Sequence, residues 1–479
     1  MNEGARRILH NTGYRLLADA GSKIASVAFF VVMARELGSA SFGVFTFALS
    51  FVILATTLGS FGQDSILTRE VARDRSLLDG YFVNTLALKV VLCTVSLAFA
   101  IGAAVALGVD EQTRNVLLLL GPAVVLELLM TTCFAAFQAY ERMEFVPIAL
   151  ISQRTLTAVV GIAALVAGVG VVAVSAVYLV GSLIGFVLAL GLFLRRIARP
   201  AFEIQPGRWW TLMRAAAAIG LTSVFAVVLF RVDMTMLAVF EPKEVVGDYG
   251  AAYRLLEATL FVSWSVSSAV FPVFSRLSLT SVPPVGYVFE RGVKLGVALT
   301  LPLAAGAVVL ADPVVSTLYG SDYAEAADAL RVLAPAIALY PVCYVAGSLL
   351  VSQHRQRAML AVYGLVAAEN ILANLVLIPW LSLEGAALAT SSSQVLVTVA
   401  LLAVAQQAAG RLEWTRIVAG PALATVAATL AMLALRDNLA AAVAVGAVAY
   451  LGVLFVFERR LFPEDARAVL DLLPGRGAA

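Results

Sequence analysis

The chain has 479 residues, of which 61% are hydrophobic and 13% charged, with a formal net charge of +2 and a mean hydropathy of +0.94. That balance lies far outside the range of soluble globular domains, and a charge so close to zero gives no ground for a nucleic-acid partner. The chain reads as a polytopic membrane protein.

A hydrocarbon core about 30 Å thick needs about 20 apolar helical residues, and about fourteen segments supply them. In chain order they are 14–33, 42–61, 81–107, 116–137, 145–167, 171–194, 212–240, 251–271, 293–310, 332–351, 360–380, 385–404, 417–435 and 439–457. The apolar runs are continuous, whereas barrel strands would alternate, so the fold class is all-α. The first span carries Asp19 and Lys23 instead of a clean apolar core, and it is expected to be retained instead of cleaved as a signal. The fifth and sixth spans are divided at Gly168-Val169-Gly170.

Basic residues concentrate in alternate loops, among them Arg6 and Arg7, Arg69 and Arg73, Arg195, Arg196 and Arg199, and Arg459 and Arg460. The opposite set holds Arg35, Arg114, Lys243, Arg331 and Arg436, and its longest loop is acidic, with Asp312, Asp322, Glu325 and Asp328. By the positive-inside rule both termini are expected in the cytoplasm, which requires an even number of spans. Cys93, Cys133 and Cys343 fall inside spans without metal-ligand spacing, and His10 and His354 are isolated, so no metal site is expected.

The sequence also repeats. Ser41-Phe42-Gly43-Val44-Phe45, after the first span, is echoed by Val245-Val246-Gly247-Asp248-Tyr249, after the seventh. Gly121-Pro122-Ala123 in the fourth span is echoed by Ala334-Pro335-Ala336 in the tenth, each followed by a glutamine, Gln138 or Gln353. An even separation of six spans preserves orientation, which predicts two parallel six-helix lobes plus two C-terminal helices. The expected division is 1–200, 201–410 and 411–479, with a cleft between the lobes, as in an alternating-access transporter. Prolines 122, 147, 302, 335 and 341 inside or at the start of spans permit bends.

Charges inside spans each cost about 2.5–3.5 kcal/mol at a helix centre and must face protein or water. They are Asp19, Lys23, Lys89, Glu127, Arg154, Arg231, Asp233, Arg254, Glu257 and Glu369. Asp19 and Lys23 (i, i+4) and Arg254 and Glu257 (i, i+3) share a helix face and can offset each other's burial. Arg231 and Asp233 fall near the outer end of their span, and Lys89 has the length to snorkel to the interface. The functional reading is a cationic cleft for a phosphate or pyrophosphate headgroup, whose lost hydration arginine and lysine replace. Lys23, Arg254 and Arg154 lead that set, with Lys89, Glu257 and Asp19 as further substrate-binding candidates. Asp19, Glu127 and Glu369 are candidates for coupling Na+ or H+, and no other cofactor is expected.

Ala34-Arg35-Glu36-Leu37-Gly38 followed by Phe42-Gly43 resembles the A-R-x-L-G-x-x-x-F-G signature of the polysaccharide and oligosaccharide flippases, in the superfamily that also holds the lipid II flippases and the multidrug and toxin extruders. The resemblance continues through Val246-Gly247-Asp248-Tyr249 with Ala252-Tyr253-Arg254, through Leu318-Tyr319-Gly320-Ser321-Asp322-Tyr323, and through Leu377-Ile378-Pro379 with Gly385-Ala386-Ala387. It implies a two-lobed fourteen-helix fold and export of a polyprenyl-linked sugar to the outer leaflet of the cell membrane. Arg254-x-x-Glu257 is similar to a cavity-lining pair on the eighth helix of the lipid II flippases, and Lys23 falls where they carry cations on the first. Ser382 departs from the family, which usually has glycine there.

An ion-coupled multidrug antiporter of the same superfamily is the alternative, although a site for cationic drugs should be richer in carboxylates and aromatics. A membrane glycosyltransferase or polymerase needs an outer loop or domain with carboxylates, and no loop here is long enough. The expectation is therefore a monomeric transporter and not an enzyme, its partners being the lipid-linked oligosaccharide, the bilayer and the glycan polymerase or glycosyltransferases that act beside it.

Overall fold

The structure is a computed structural model that describes residues 3–106, 108–277 and 285–461. Nearly all of these are helical: α1 (Glu3–Thr56), α2 (Gln63–Arg73), α3 (Leu78–Ala106), α4 (Glu111–Ala139), α5 (Phe145–Val166), α6 (Val171–Arg196), α7 (Pro206–Phe240), α8 (Lys243–Leu277), α9 (Val285–Val309), α10 (Ala311–Tyr319), α11 (Ala324–Ser352), α12 (Gln356–Ala409), α13 (Trp414–Ala434) and α14 (Leu439–Leu461).

Among the described residues twelve helices are long and apolar enough to cross a membrane, and two of these cross twice. α1 and α12 each run for 54 residues, about 81 Å if straight, against about 30 Å of hydrocarbon. Each is broken by one non-helical residue, Gly38 (φ 72°, ψ 171°) in α1 and Ser382 (φ 53°, ψ −130°) in α12. The chain reverses at these points. The rings of Phe30 and Phe45, on opposite arms of α1, are 6.0 Å apart between centroids, and Asn370 donates to Ser393 Oγ at 2.9 Å across α12. In a straight helix residues 23 apart would lie about 35 Å from each other. With both bends counted, the described residues supply fourteen helical segments long enough to cross, and each expected span has its helix. The Gly168 break is also present, with α5 ending at Val166, α6 beginning at Val171 and Gly168 at φ +82°.

Two short helices had no counterpart among the expected spans. α2 turns Ile66, Leu67 and Val71 inward and packs on α3 and α4, and α10 occupies the segment read as an acidic loop.

One compact unit contains the residues up to Arg254 together with Tyr319–Glu325 and Gln356–Ser393. An apolar core of this unit lies among α2 to α6, where Phe82 and Phe193 stack at 3.9 Å. The second unit contains Leu255–Leu318, Ala326–Arg355 and the chain from Gln394 onward. There α13 and α14 pair through Ala428, Met432 and Tyr450, and Lys294 on α9 meets Glu458 on α14 at 2.6 Å. The unit boundaries fall inside α8, α11 and α12, at the last residue of α10 and at the start of α12. α4 and α11 are both 29 residues long and carry their echoed prolines, Pro122 and Pro335, at the twelfth position.

Candidate functional site

Arg154 on α5 is the centre of a polar cluster in the first unit. Its guanidinium lies 3.2 Å from Glu127 Oε1 on α4, donates to Glu127 Oε2 at 3.3 Å and donates to the Tyr178 hydroxyl of α6 at 2.8 Å. Gln153 and Ser182 both donate to Glu127 Oε1, at 2.7 and 3.3 Å. Gly181 lets α6 come this close, because a Cβ there would lie 1.9 Å from Thr157 Oγ1. The pair is not sealed: 24% of the Arg154 side chain and 21% of the Glu127 side chain stay accessible. A guanidinium with several donors and an open edge can accept a further oxyanion.

Aromatic rings connect this cluster to Arg254. The Tyr178 ring meets Phe45 at 5.9 Å, Phe45 meets Phe30 at 6.0 Å, and the Arg254 guanidinium sits 3.8 Å from the centroid of Phe30. All three ring contacts are within the range of edge-to-face and cation–π attraction. The two arginines named from sequence thus stand at the two ends of one aromatic row. Lys23 lies seven residues before Phe30 on α1, two helical turns along the same face, and is exposed. The Asp19 side chain lies outside the described residues. Glu257 follows Arg254 by one turn of α8 and is half-buried.

Lys89 differs from these. It was expected to snorkel, yet its side chain is 0% exposed. Its ammonium donates to Asp64 Oδ2 at 2.7 Å, the Leu128 carbonyl at 2.8 Å and Thr131 Oγ1 at 3.1 Å, which uses all three of its protons. Asp64 also accepts from Thr131 and Thr132, at 2.8 and 2.9 Å. Burial holds the lysine in place because its partner comes from α2, a helix absent from the sequence reading. Beside this clamp lies a cavity of about 440 Å³ lined by Asp64, Thr68, Arg69, Thr131, Phe134 and Gln138 among others.

Asp233, expected near the outer end of its span, lies two turns before the C-terminus of α7 and is fully buried. It accepts from the Tyr249 hydroxyl at 2.6 Å, Thr390 Oγ1 at 2.8 Å and the Met234 amide at 2.7 Å. Glu369 on α12 accepts from Ser393 Oγ at 2.8 Å, next to the Asn370 and Asn374 amides. Among the described residues no group of three or more His, Cys, Asp or Glu has a geometry that could hold a metal ion.

Sequence reasoning missed Asp64 and Tyr178. The first could have been found from the apolar spacing of 66, 67 and 71 behind it. Tyr178 has no local signal, since a single polar atom in a span is silent until its neighbours are known.

The motif residues meet one another. The Tyr323 hydroxyl donates to the Ala34 carbonyl at 2.8 Å, its ring contacts Phe42 at 6.1 Å, and Gly43 packs on Gly247. In α12 a Cβ on Gly385 would fall 2.3 Å from the Leu377 carbonyl, so that motif closes the second bend.

Comparison with known proteins places the fold and the family. Solved structures include the lipid II flippase MurJ in an inward closed conformation, which shares the fold with a TM-score of 0.79 over 93% of this chain and 98% of that one, at 15% identity. Among curated proteins, the probable low-salt glycan biosynthesis flippase Agl15 of Haloferax volcanii is 26% identical over 168 residues, 35% of this chain and 36% of that protein. The succinoglycan biosynthesis transport protein ExoT of Rhizobium meliloti is 22% identical over 333 residues, 69% of this chain and 66% of that protein. The chain therefore spans about a third and just under two thirds of these two relatives. The family model described as "Polysaccharide biosynthesis protein" matches residues 8–278, more than half of the sequence, and the chain is a multi-pass membrane protein of that family.

Proposed function

We propose that the protein flips a lipid-linked oligosaccharide, carried on a polyprenyl phosphate or pyrophosphate, from the cytoplasmic to the outer leaflet of the cell membrane for surface-glycan assembly. The observation that carries this reading is the pair of intramembrane arginines, Arg154 and Arg254, joined by the Tyr178, Phe45 and Phe30 rings. Guanidinium groups suit a pyrophosphate, and the buried Phe30, Phe45 and Tyr178 rings hold the two arginines in place relative to each other. Lys23 adds a third cation on the α1 face that carries Phe30, and Glu257 and Asp19 balance the charge of the empty site. The lipid tail stays in the bilayer while the headgroup is passed across by alternating access, without covalent change.

Lys89 serves in this reading as a structural clamp, since its protons are already used. Glu127, which holds Arg154, and Glu369 and Asp19 are the carboxylates through which Na+ or H+ couples to the cycle. Both termini lie in the cytoplasm. The protein acts as a monomer beside the glycosyltransferases and polymerase that make and use its substrate. The names of the relatives support this substrate class, and the basic character of the site favours it over a multidrug antiporter.

The test is export complementation. Flippase-deficient cells making a defined lipid-linked glycan are given the wild-type chain or Arg254→Glu, and outer-leaflet glycan, membrane abundance and drug resistance are measured. Wild-type export with loss in Arg254→Glu at equal abundance supports the assignment. Normal export by Arg254→Glu overturns the site, and drug resistance without glycan export assigns the protein to the antiporters.

A further inference from the structure

A second cavity of the first unit, about 950 Å³, lies away from the arginine row, between α3 and α6. The connection from α6 to α7 closes one end. Phe82, Leu86 and Val90 line one side and Leu190 and Leu194 the other, with Ile204 from the connection. Its charged lining groups are Arg195 and Arg199, at and just beyond the last turn of α6. Among the described residues neither arginine has an ion pair, and both are exposed.

The trough is preformed. Asn84 is fully buried and makes four hydrogen bonds: it donates to the carbonyls of Gly80 and Glu203 and accepts from the Gln205 amide and the Trp209 indole. These bonds fix the α6–α7 connection and the start of α7 to α3, and they also consume the polar group of Trp209, a lining residue. The stacked Phe82 and Phe193 hold α3 against α6 behind it. Phe202 and Trp210, 82% and 74% exposed, mark this end as the level of the membrane interface, where exposed aromatics collect.

An apolar trough open to the bilayer, with two arginines at its interfacial end, matches one amphiphile. We propose that it binds an anionic phospholipid, with an acyl chain in the trough and the phosphodiester held by Arg195 and Arg199. Any lipid tail can wet an apolar groove, but only an anionic headgroup complements two arginines without ion pairs. Each basic residue at an anionic surface contributes roughly a fivefold preference, so the two together give about 25-fold. This site is independent of the flipping activity.

Native mass spectrometry of the full chain, titrated in detergent with phosphatidylglycerol or phosphatidylcholine, tests the proposal. The expected result is one retained phosphatidylglycerol, favoured over phosphatidylcholine by more than tenfold. Arg195→Gln with Arg199→Gln should abolish that preference. Gly191→Leu should expel either lipid, because a Cβ at Gly191 meets no protein atom within 4 Å and Gly191 lines the trough; an unchanged lipid-free melting temperature verifies that the fold is kept. Equal binding of the two lipids by the wild type, or a preference that survives both variants, overturns the site. Displacement of the phospholipid by substoichiometric undecaprenyl phosphate overturns the choice of ligand.

Discussion

Gly43 and Gly247 pack on each other reciprocally. A Cβ on Gly43 would lie 2.0 Å from the Lys243 carbonyl oxygen, and one on Gly247 would lie 2.1 Å from the Ser39 carbonyl oxygen. Each glycine therefore meets the carbonyl four residues before the other, which is the signature of a two-fold contact. The echoed sequence segments are the two halves of this crossing, where only glycine permits such close backbone approach. Gly43→Ala should cost about 3 kcal/mol, the upper end of overpacking. Gly38 has no atom in the way, but its φ of 72° with ψ of 171° is a conformation essentially confined to glycine, and Gly38→Ala should cost about 1–3 kcal/mol through backbone strain alone. Melting in detergent checks both, and a Gly43→Ala variant that melts like the wild type would refute the crossing. Gly43→Ala with Gly247→Ala should lose less than the sum, since both break one contact.

Ser382 holds a φ of +53° at the bend of α12, a conformation that glycine adopts without steric cost. Ser382→Gly should stabilise the protein by about 1 kcal/mol, seen as a higher melting temperature with export unchanged. A lower melting temperature would mean that the serine side chain supports the bend.

Arg154→Ala leaves Glu127 unpaired in a largely buried site and should destabilise by about 3 kcal/mol, the lower end for a broken buried pair because both partners keep some access to water. Removing both charges, Arg154→Ala with Glu127→Ala, should recover most of that stability. Export should stay lost in the double variant if Arg154 contacts substrate. Export that returns with stability would limit the pair to a structural role.

Asp110 caps α4 through the Thr113 amide at 3.3 Å and hydroxyl at 2.6 Å and pairs with Lys243 at 2.8 Å. Partial burial opposes its ionisation, but the bonds from Lys243 and Thr113 outweigh this and bring its pKa down to about 2. A carboxyl held below its unfolded value contributes stability that is complete at neutral pH and fades as the pH falls from about 4 to about 2. With both partners 44% exposed, screening reduces the effect to about 1 kcal/mol or less. The acid limb of the melting curve should flatten in Asp110→Asn, and an unchanged limb would refute the assignment.

The crossings were legible because twenty apolar residues in a row have few other uses. The two bends were legible only as boundaries, since one residue of loop leaves no charge or turn run to read. The candidate site was visible in its charges and hidden in its partners. Arg154 and Arg254 announce themselves by their cost in a span, but Phe30, Phe45 and Tyr178 look like any apolar packing residues. The family motifs proved architectural: Ala34, Phe42, Gly247 and Tyr323 meet one another, and the cations that would hold a headgroup lie outside most of them. These motifs report the fold, and under the proposed function the headgroup contacts lie around Arg154 and Arg254.

The Lys89–Asp64 clamp constrains how the protein is made. Synthesis delivers Asp64 twenty-five residues before Lys89, so the carboxylate that pairs with this lysine is already made when α3 emerges. Leu128 and Thr131, which take the other two protons, arrive only with α4. Until then the ammonium is satisfied in part, and α3 is held by its apolar length against a charge worth about 3 kcal/mol. Integration of the third and fourth crossings is therefore a coupled event, and an Asp64 variant carries its defect into biogenesis as well as into the finished fold.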